Sequence, residues 1–120
     1  MPITDDQSIK DHFFLYRGIK PTELTFDSAG NPVFSDGAFR STEVSTFRTD
    51  KASIGDVFAA YQAASRIVCI KVQDVRDAGC IVAPQEPPNG HVCIYRKDNP
   101  GQRIGGGSAG KMAKKAKLIP

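Results

Sequence analysis

The sequence predicts one α+β domain, a mixed and mainly antiparallel sheet of about five strands with one main helix packed on one face. Three observations carry that prediction. Runs rich in β-branched and aromatic residues recur between clusters of turn formers. A single segment joins a capping signal to an extended apolar stripe at helical spacing. Strands and helices do not alternate in the regular manner of a parallel α/β sheet. With 120 residues, 40% of them hydrophobic, the chain has enough apolar side chains for one core of ordinary size.

Residues 1–12 are polar and carry Asp5, Asp6 and Asp11, so they read as a frayed lead-in or a short helical turn with His12 exposed at its edge. Phe13 to Ile19 follows as a strand. Alternation places Phe13, Leu15, Arg17 and Ile19 on one side and Phe14, Tyr16 and Gly18 on the other. If the Leu15 side is buried, Arg17 enters the core and needs a carboxylate, a bound anion or a water-filled cleft, because an unpaired buried charge costs several kcal/mol. If Phe14 and Tyr16 point inward, Arg17 is solvated. Alternation does not orient a strand, and both arrangements stay open.

Lys20-Pro21 ends that run. Thr25-Phe26 and Val33-Phe34 flank the turn formers from Asp27 to Pro32, which predicts a hairpin, and Asp36-Gly37 marks a second turn. Phe39 to Phe47 is too polar for a core strand and is expected at a sheet edge or in a functional loop. Ser53 and Asp56 have capping-box spacing. Ile54, Val57, Phe58, Tyr61 and Ala64 then recur at intervals of three and four, which predicts the main helix.

Ile67 to Val72 is apolar on both alternating faces, as in a central strand covered on two sides. Asp74 to Ala78 makes a helical turn that Gly79 can close, Cys80 to Ala83 is a short strand, and a proline-rich loop leads into a last strand from His91 to Arg96. The Gly-rich stretch after Asn99 completes a division into a domain over 1–100 and a flexible basic C-terminal tail over 101–120. That tail holds Arg103, Lys111, Lys114, Lys115 and Lys117 and no acid, while residues 1–100 carry 11 basic and 13 acidic side chains. Attraction to nucleic acid or other polyanions is therefore expected at the C-terminus, and the domain is no polycation.

The opening Met-Pro-Ile-Thr-Asp-Asp lacks the basic and apolar regions of a signal peptide, and no apolar run approaches eighteen residues, so a soluble cytoplasmic protein is expected. Cys69, Cys80 and Cys93 sit in separate apolar runs. Their odd count and unpaired spacing suit buried reduced thiols.

Three clusters bear on chemistry. Gly105 to Met112 approaches the phosphate-binding loop pattern but ends in Met112 where a hydroxyl would hold magnesium, and no βαβ unit follows. His91, Cys93 and Tyr95 share a strand face, where a His and a Cys can serve as metal ligands or as base and nucleophile. Zinc needs four ligands, and the sequence calls for no metal and no cofactor. Arg17 with Arg40, Ser41, Thr42, Glu43, Ser45, Arg48 and Asp50 forms the third cluster, and His91, at a strand end where side chains commonly reach a cleft, is a secondary candidate. Arginine forks and hydroxyls that converge on one cleft make a receptor for phosphate or carboxylate. Without convergence, Phe39 to Phe47 is a soluble edge strand whose charges discourage sheet-to-sheet pairing.

Leu15-Tyr16-Arg17-Gly18, followed by Phe39 to Ser45, resembles the first two motifs of Arg-Ser-Glu type ADP-ribosyltransferases. The resemblance implies that Arg17 binds phosphate and that Ser41, Thr42 or Ser45 takes the role of the family's Ser-Thr-Ser strand. The family's Glu-x-Glu motif has no counterpart here. The set Leu15 to Ile19, Ala38 to Ser41, Val75 to Gly79 and a His-led last strand is similar to small bacterial proteins without an assigned function, and this likeness implies no activity.

The sequence thus leads to a protein that binds an anionic ligand or partner, phosphate-bearing or nucleic acid, through Arg17, Ser41, Ser45, Arg48 and His91, with the lysines as an electrostatic aid. A nucleotide-using transferase and an assembly subunit are the other two classes. No membrane partner is expected.

Overall fold

A computed structural model describes residues 3–119. The α+β prediction holds. Among the described residues eight strands, β1 (Phe14–Ile19), β2 (Leu24–Phe26), β3 (Pro32–Phe34), β4 (Val44–Arg48), β5 (Arg66–Lys71), β6 (Cys80–Pro84), β7 (His91–Arg96) and β8 (Lys117–Leu118), accompany three α-helices, α1 (Ile54–Ala60), α2 (Val72–Asp77) and α3 (Gly106–Lys115), and two short 3-10 helices, Pro21–Glu23 and Asp36–Phe39. Six strands form one sheet in the order β6-β7-β4-β1-β5-β8, every neighbouring pair antiparallel. The other two, β2 and β3, make a separate hairpin around the Asp27–Asn31 turn.

Each face of the sheet buries a different set of residues. Leu15, Ile19, Val44, Val68, Ile70, Val82, Val92 and Ile94 join Val72 and Val75 of α2 and Ala109 and Met112 of α3 in the larger cluster. On the opposite face Phe47 and Ile67 pack with Ala52 and with Val57 of α1, and Ile81, Ala83, Cys93 and Tyr95 form a separate patch. Strand β5 supplies residues to both faces, as its two-sided apolar pattern requires.

Helix α1 starts where its capping box predicts. The Ser53 hydroxyl accepts from the Asp56 amide at 3.1 Å, and the Asp56 carboxylate accepts from the Ser53 amide at 2.9 Å. The helix ends at Ala60 with Tyr61 as its cap, so the stripe extended toward Ala64 is longer than the helix, and Phe58 stays 37% exposed. Gly79 follows α2 with φ of +87°, the left-handed conformation expected at a helix end.

Three expectations change. Strand β4 is interior, between β1 and β7, and its polar residues do not blunt an edge. Polarity suggested an edge because Ser45 faces a cleft, while Thr46, fully buried, satisfies its hydroxyl by donating to the Val92 carbonyl at 2.7 Å. The lead-in is pinned: Arg76 pairs with Asp5 at 3.1 Å and with Asp11 at 2.6 Å, the Asp6 amide donates to the Val82 carbonyl, and Ile9 is buried. The 101–120 segment is not a flexible tail over its described residues, because Ile104, Ala109, Met112 and Ala116 enter the core and β8 pairs with β5. Composition hid this. Glycine and lysine dominate α3, yet its few apolar residues fall on one stripe.

Candidate functional site

The site begins at a break in the sheet. Strand β1 pairs with β5 along all six residues, from Phe14↔Lys71 to Ile19↔Arg66, but pairs with β4 only at Leu15↔Arg48 and Tyr16↔Phe47. Beyond Tyr16 the two strands part, and the Arg17 guanidinium occupies the seam. Its Nε donates to the Ala38 carbonyl at 3.1 Å and its Nη1 to the Ser45 carbonyl at 3.0 Å. The buried side of β1 is thus the Leu15 side, and Arg17, on that side, is half-buried with backbone carbonyls as its described partners.

No carboxylate forms an ion pair with Arg17 among the described residues. Burial pushes its pKa down, and the nearby charge of Glu23 opposes that. An arginine stays protonated through such a shift, so the seam holds a positive charge. Of the five N–H donors of a guanidinium, two meet described acceptors.

The seam opens into a cleft of about 490 Å³. Arg17, Lys20, Ser41, Ser45 and His91 give it polar walls, and Phe47, Val57, Tyr61 and Pro88 give it apolar ones. Gly18 permits the close approach of the Tyr61 wall: a Cβ there would lie 2.7 Å from Tyr61 Cδ2 and 2.9 Å from Ala64 Cβ. The Arg17 guanidinium carbon is 6.0 Å from the centre of the Tyr61 ring.

Ser45 and His91 meet through strand register. Phe47 pairs with His91 and Ser45 with Cys93, so Ser45 and His91 are diagonal neighbours on one face of the sheet. The Ser45 hydroxyl is hydrogen-bonded to His91 Nε2. His91 Nδ1 lies 2.8 Å from the Gln85 carbonyl. A carbonyl only accepts, so Nδ1 carries the proton, and in the neutral ring Nε2 is the acceptor that receives the Ser45 O–H. The ring is held further by Phe47, 5.1 Å away between centres, and the residue's backbone is fixed by the Gln85 amide donating to the His91 carbonyl at 2.9 Å and the His91 amide donating to the Pro88 carbonyl at 3.1 Å.

Cys93 Sγ lies 4.0 Å from the same Nε2, and burial, aided by the charge of Glu43, pushes this thiol's pKa up. Tyr95, farther along the face, is fully buried, and its hydroxyl accepts from Gln85 Nε2 at 2.8 Å. Among the described residues no group of three or more His, Cys, Asp or Glu is placed to hold a metal.

Four of the five expected ligand-binding residues, Arg17, Ser41, Ser45 and His91, therefore line one cleft. Arg48 does not. It alternates to the other face of β4, forks onto Asp50 at 3.0 and 2.7 Å, and lies over the Phe13 ring at 4.9 Å. The expected electrostatic tail is also dispersed. Arg103 donates to the Arg40 carbonyl, Lys111, Lys114 and Lys115 border a groove shared with Asp74 and Asp77 of α2, and Lys117 sits on β8. Gly105 to Met112 caps and opens α3 with Met112 buried, so it forms no phosphate-binding loop.

Lys20, Tyr61 and the Gln85 carbonyl were not legible as site groups. A glycine inside an otherwise aromatic strand was the available signal, since it marks close approach by another element. The Ser45–His91 pair spans 46 positions, and no local pattern announces it.

No protein-family model matches this sequence, and comparison with curated proteins and with solved structures returns no significant match. No helix is long and apolar enough to cross a membrane among the described residues.

Proposed function

We propose that the cleft binds a small phosphate- or carboxylate-bearing ligand, with Arg17 as the anchor for the anionic group. The observation that carries this reading is a seam-bound guanidinium with carbonyl partners, no paired carboxylate among the described residues, and a cleft in front of it. Such a charge is incompletely compensated by the protein, and an anion completes it. Lys20 adds a second cation, and Ser41 and Ser45 add hydroxyls. Phe47, Val57, Tyr61 and Pro88 offer contact to an apolar or aromatic portion, and about 490 Å³ falls in the size range of small-molecule sites.

Titration calorimetry with inorganic phosphate, pyrophosphate and AMP tests the reading. At least one should bind to the wild-type protein. Arg17→Lys keeps the charge but loses the planar fork, and should weaken binding by roughly tenfold or more. Equal affinity for wild type and a folded Arg17→Lys variant, or no binding of any of the three, would remove the anchor role.

A further inference from the structure

We infer that Ser45 is a catalytic nucleophile with His91 as its general base, and that the cleft supports acyl transfer from a small carboxylic ester to water. Hydrogen bonds fix the roles of both groups. The Gln85 carbonyl fixes the proton on Nδ1 and leaves Nε2 as the acceptor of the Ser45 O–H. An orienting acceptor, an imidazole and a hydroxyl in series are the parts that make a weak nucleophile reactive. Here the orienting group is a backbone carbonyl, set by the loop between β6 and β7.

A structural role for the pair would require only that buried polar atoms be satisfied. Ser45 and His91 instead line an open cleft wide enough for a ligand. Cys93, the other candidate nucleophile on this face, is buried with its Sγ 4.0 Å from Nε2, whereas the Ser45 hydroxyl is in direct hydrogen-bond contact with that nitrogen and lines the cleft.

In the reaction, Ser45 Oγ bonds to the acyl carbon as its proton passes to His91 Nε2. The carbonyl oxygen gains the negative charge, and Arg17, through donors beyond those given to Ala38 and Ser45, and Lys20 are the cations lining this cleft that can meet it. Collapse breaks the carbon–oxygen bond to the alcohol, which leaves with the proton from Nε2. Water then attacks the acyl-serine, its proton passing to Nε2 and on to Ser45 Oγ as the carboxylic acid departs. The sum is ester and water to acid and alcohol, with no oxidant, reductant or metal. The inference shares the Arg17 anion site with the reading above, but it makes a separate claim about Ser45.

An alkyl fluorophosphonate tests it on the intact chain. Attack by Oγ at phosphorus displaces fluoride and leaves a stable phosphonyl-serine, which intact-mass and peptide mass spectrometry locate. The expected result is one adduct on Ser45, none on a folded Ser45→Ala variant, and labelling at least about 100-fold slower in His91→Gln, the loss expected when a general base is removed. Turnover of 4-nitrophenyl acetate should fall in the same two variants. Site mapping needs only the wild type, so a misfolded variant does not blunt the test. An adduct on Cys93 or a tyrosine, no adduct, labelling of His91→Gln at the wild-type rate, or turnover of 4-nitrophenyl phosphate in place of the acetate would overturn the inference. Phosphate binding that persists in an unreactive protein would sink the nucleophile and leave the anion reading standing. A labelled Ser45 in a protein that binds no phosphate would support the nucleophile while sinking the other reading.

Discussion

Arg17 could have been solvated or buried, and the seam between β1 and β4 shows why its partial burial is tolerated. The Ser45 carbonyl of β4 and the Ala38 carbonyl of the turn before it accept from the guanidinium, so the side chain satisfies backbone groups at the point where pairing between β1 and β4 stops. Gly18, one residue on, admits Tyr61 against the sheet. Gly18→Ala should push the Tyr61 wall outward and cost about 1 to 3 kcal/mol through overpacking, read as a lowered denaturation midpoint. A wild-type midpoint would show that the wall yields freely. Cys80 and Tyr95 set a second residue-scale behaviour. Burial raises the Cys80 thiol from 9.0 to about 11 and the Tyr95 phenol from 10.0 to about 12. The folded state therefore holds these protons where the unfolded chain has released them, so stability should decline as pH rises from about 9 to about 12. Denaturant midpoints across that range would check it, and a flat profile would contradict both shifts.

Among the elements, α1 depends most on a local signal, being seven residues long and burying Val57 completely. A helix this short does not persist alone, so its cap and its packing on Phe47 and Ile67 hold it. Ser53→Ala removes one side of the capping box and should cost about 0.5 to 2 kcal/mol. Val57 and Tyr61 line the cleft, so the same change should also weaken anion binding, which calorimetry on the variant would detect. Strand β4 shows the opposite relation between pattern and place. Its polar residues argued for an edge, but Thr46 bonds across to β7 and Ser45 faces the cleft, so each polar group has a use inside the sheet.

For the whole molecule, the C-terminal segment closes the core. Met112, fully buried beneath the sheet with Ala109, belongs to the same cluster as Leu15 and Val68. Met112→Ala should destabilise the fold by about 2 to 5 kcal/mol, and chemical denaturation should show it. A flexible appendage would give no change. Removing 101–120 is thus a test of folding and not of nucleic-acid affinity, for which charge reversal at Lys114 and Lys115 is the cleaner perturbation.

The sequence by itself determined what short-range chemistry dictates: the strand at Phe14 to Ile19, the turn residues around Gly30 and Gly79, the capping box at Ser53 and the two-faced strand at Ile67. These follow from propensity, periodicity and backbone sterics, which act over a few residues. It also placed Arg17, Ser41, Ser45 and His91 among the candidates, because polar side chains beside strand residues need a reason to be there. Tertiary structure decided which of them meet. Strand order brought β7 beside β4 and moved β4 from the edge to the interior, register set Ser45 diagonal to His91 and turned Arg48 away, and packing drew a glycine- and lysine-rich segment into the core. Each of those outcomes depends on contacts between residues tens of positions apart, and a local pattern carries no record of such a distance.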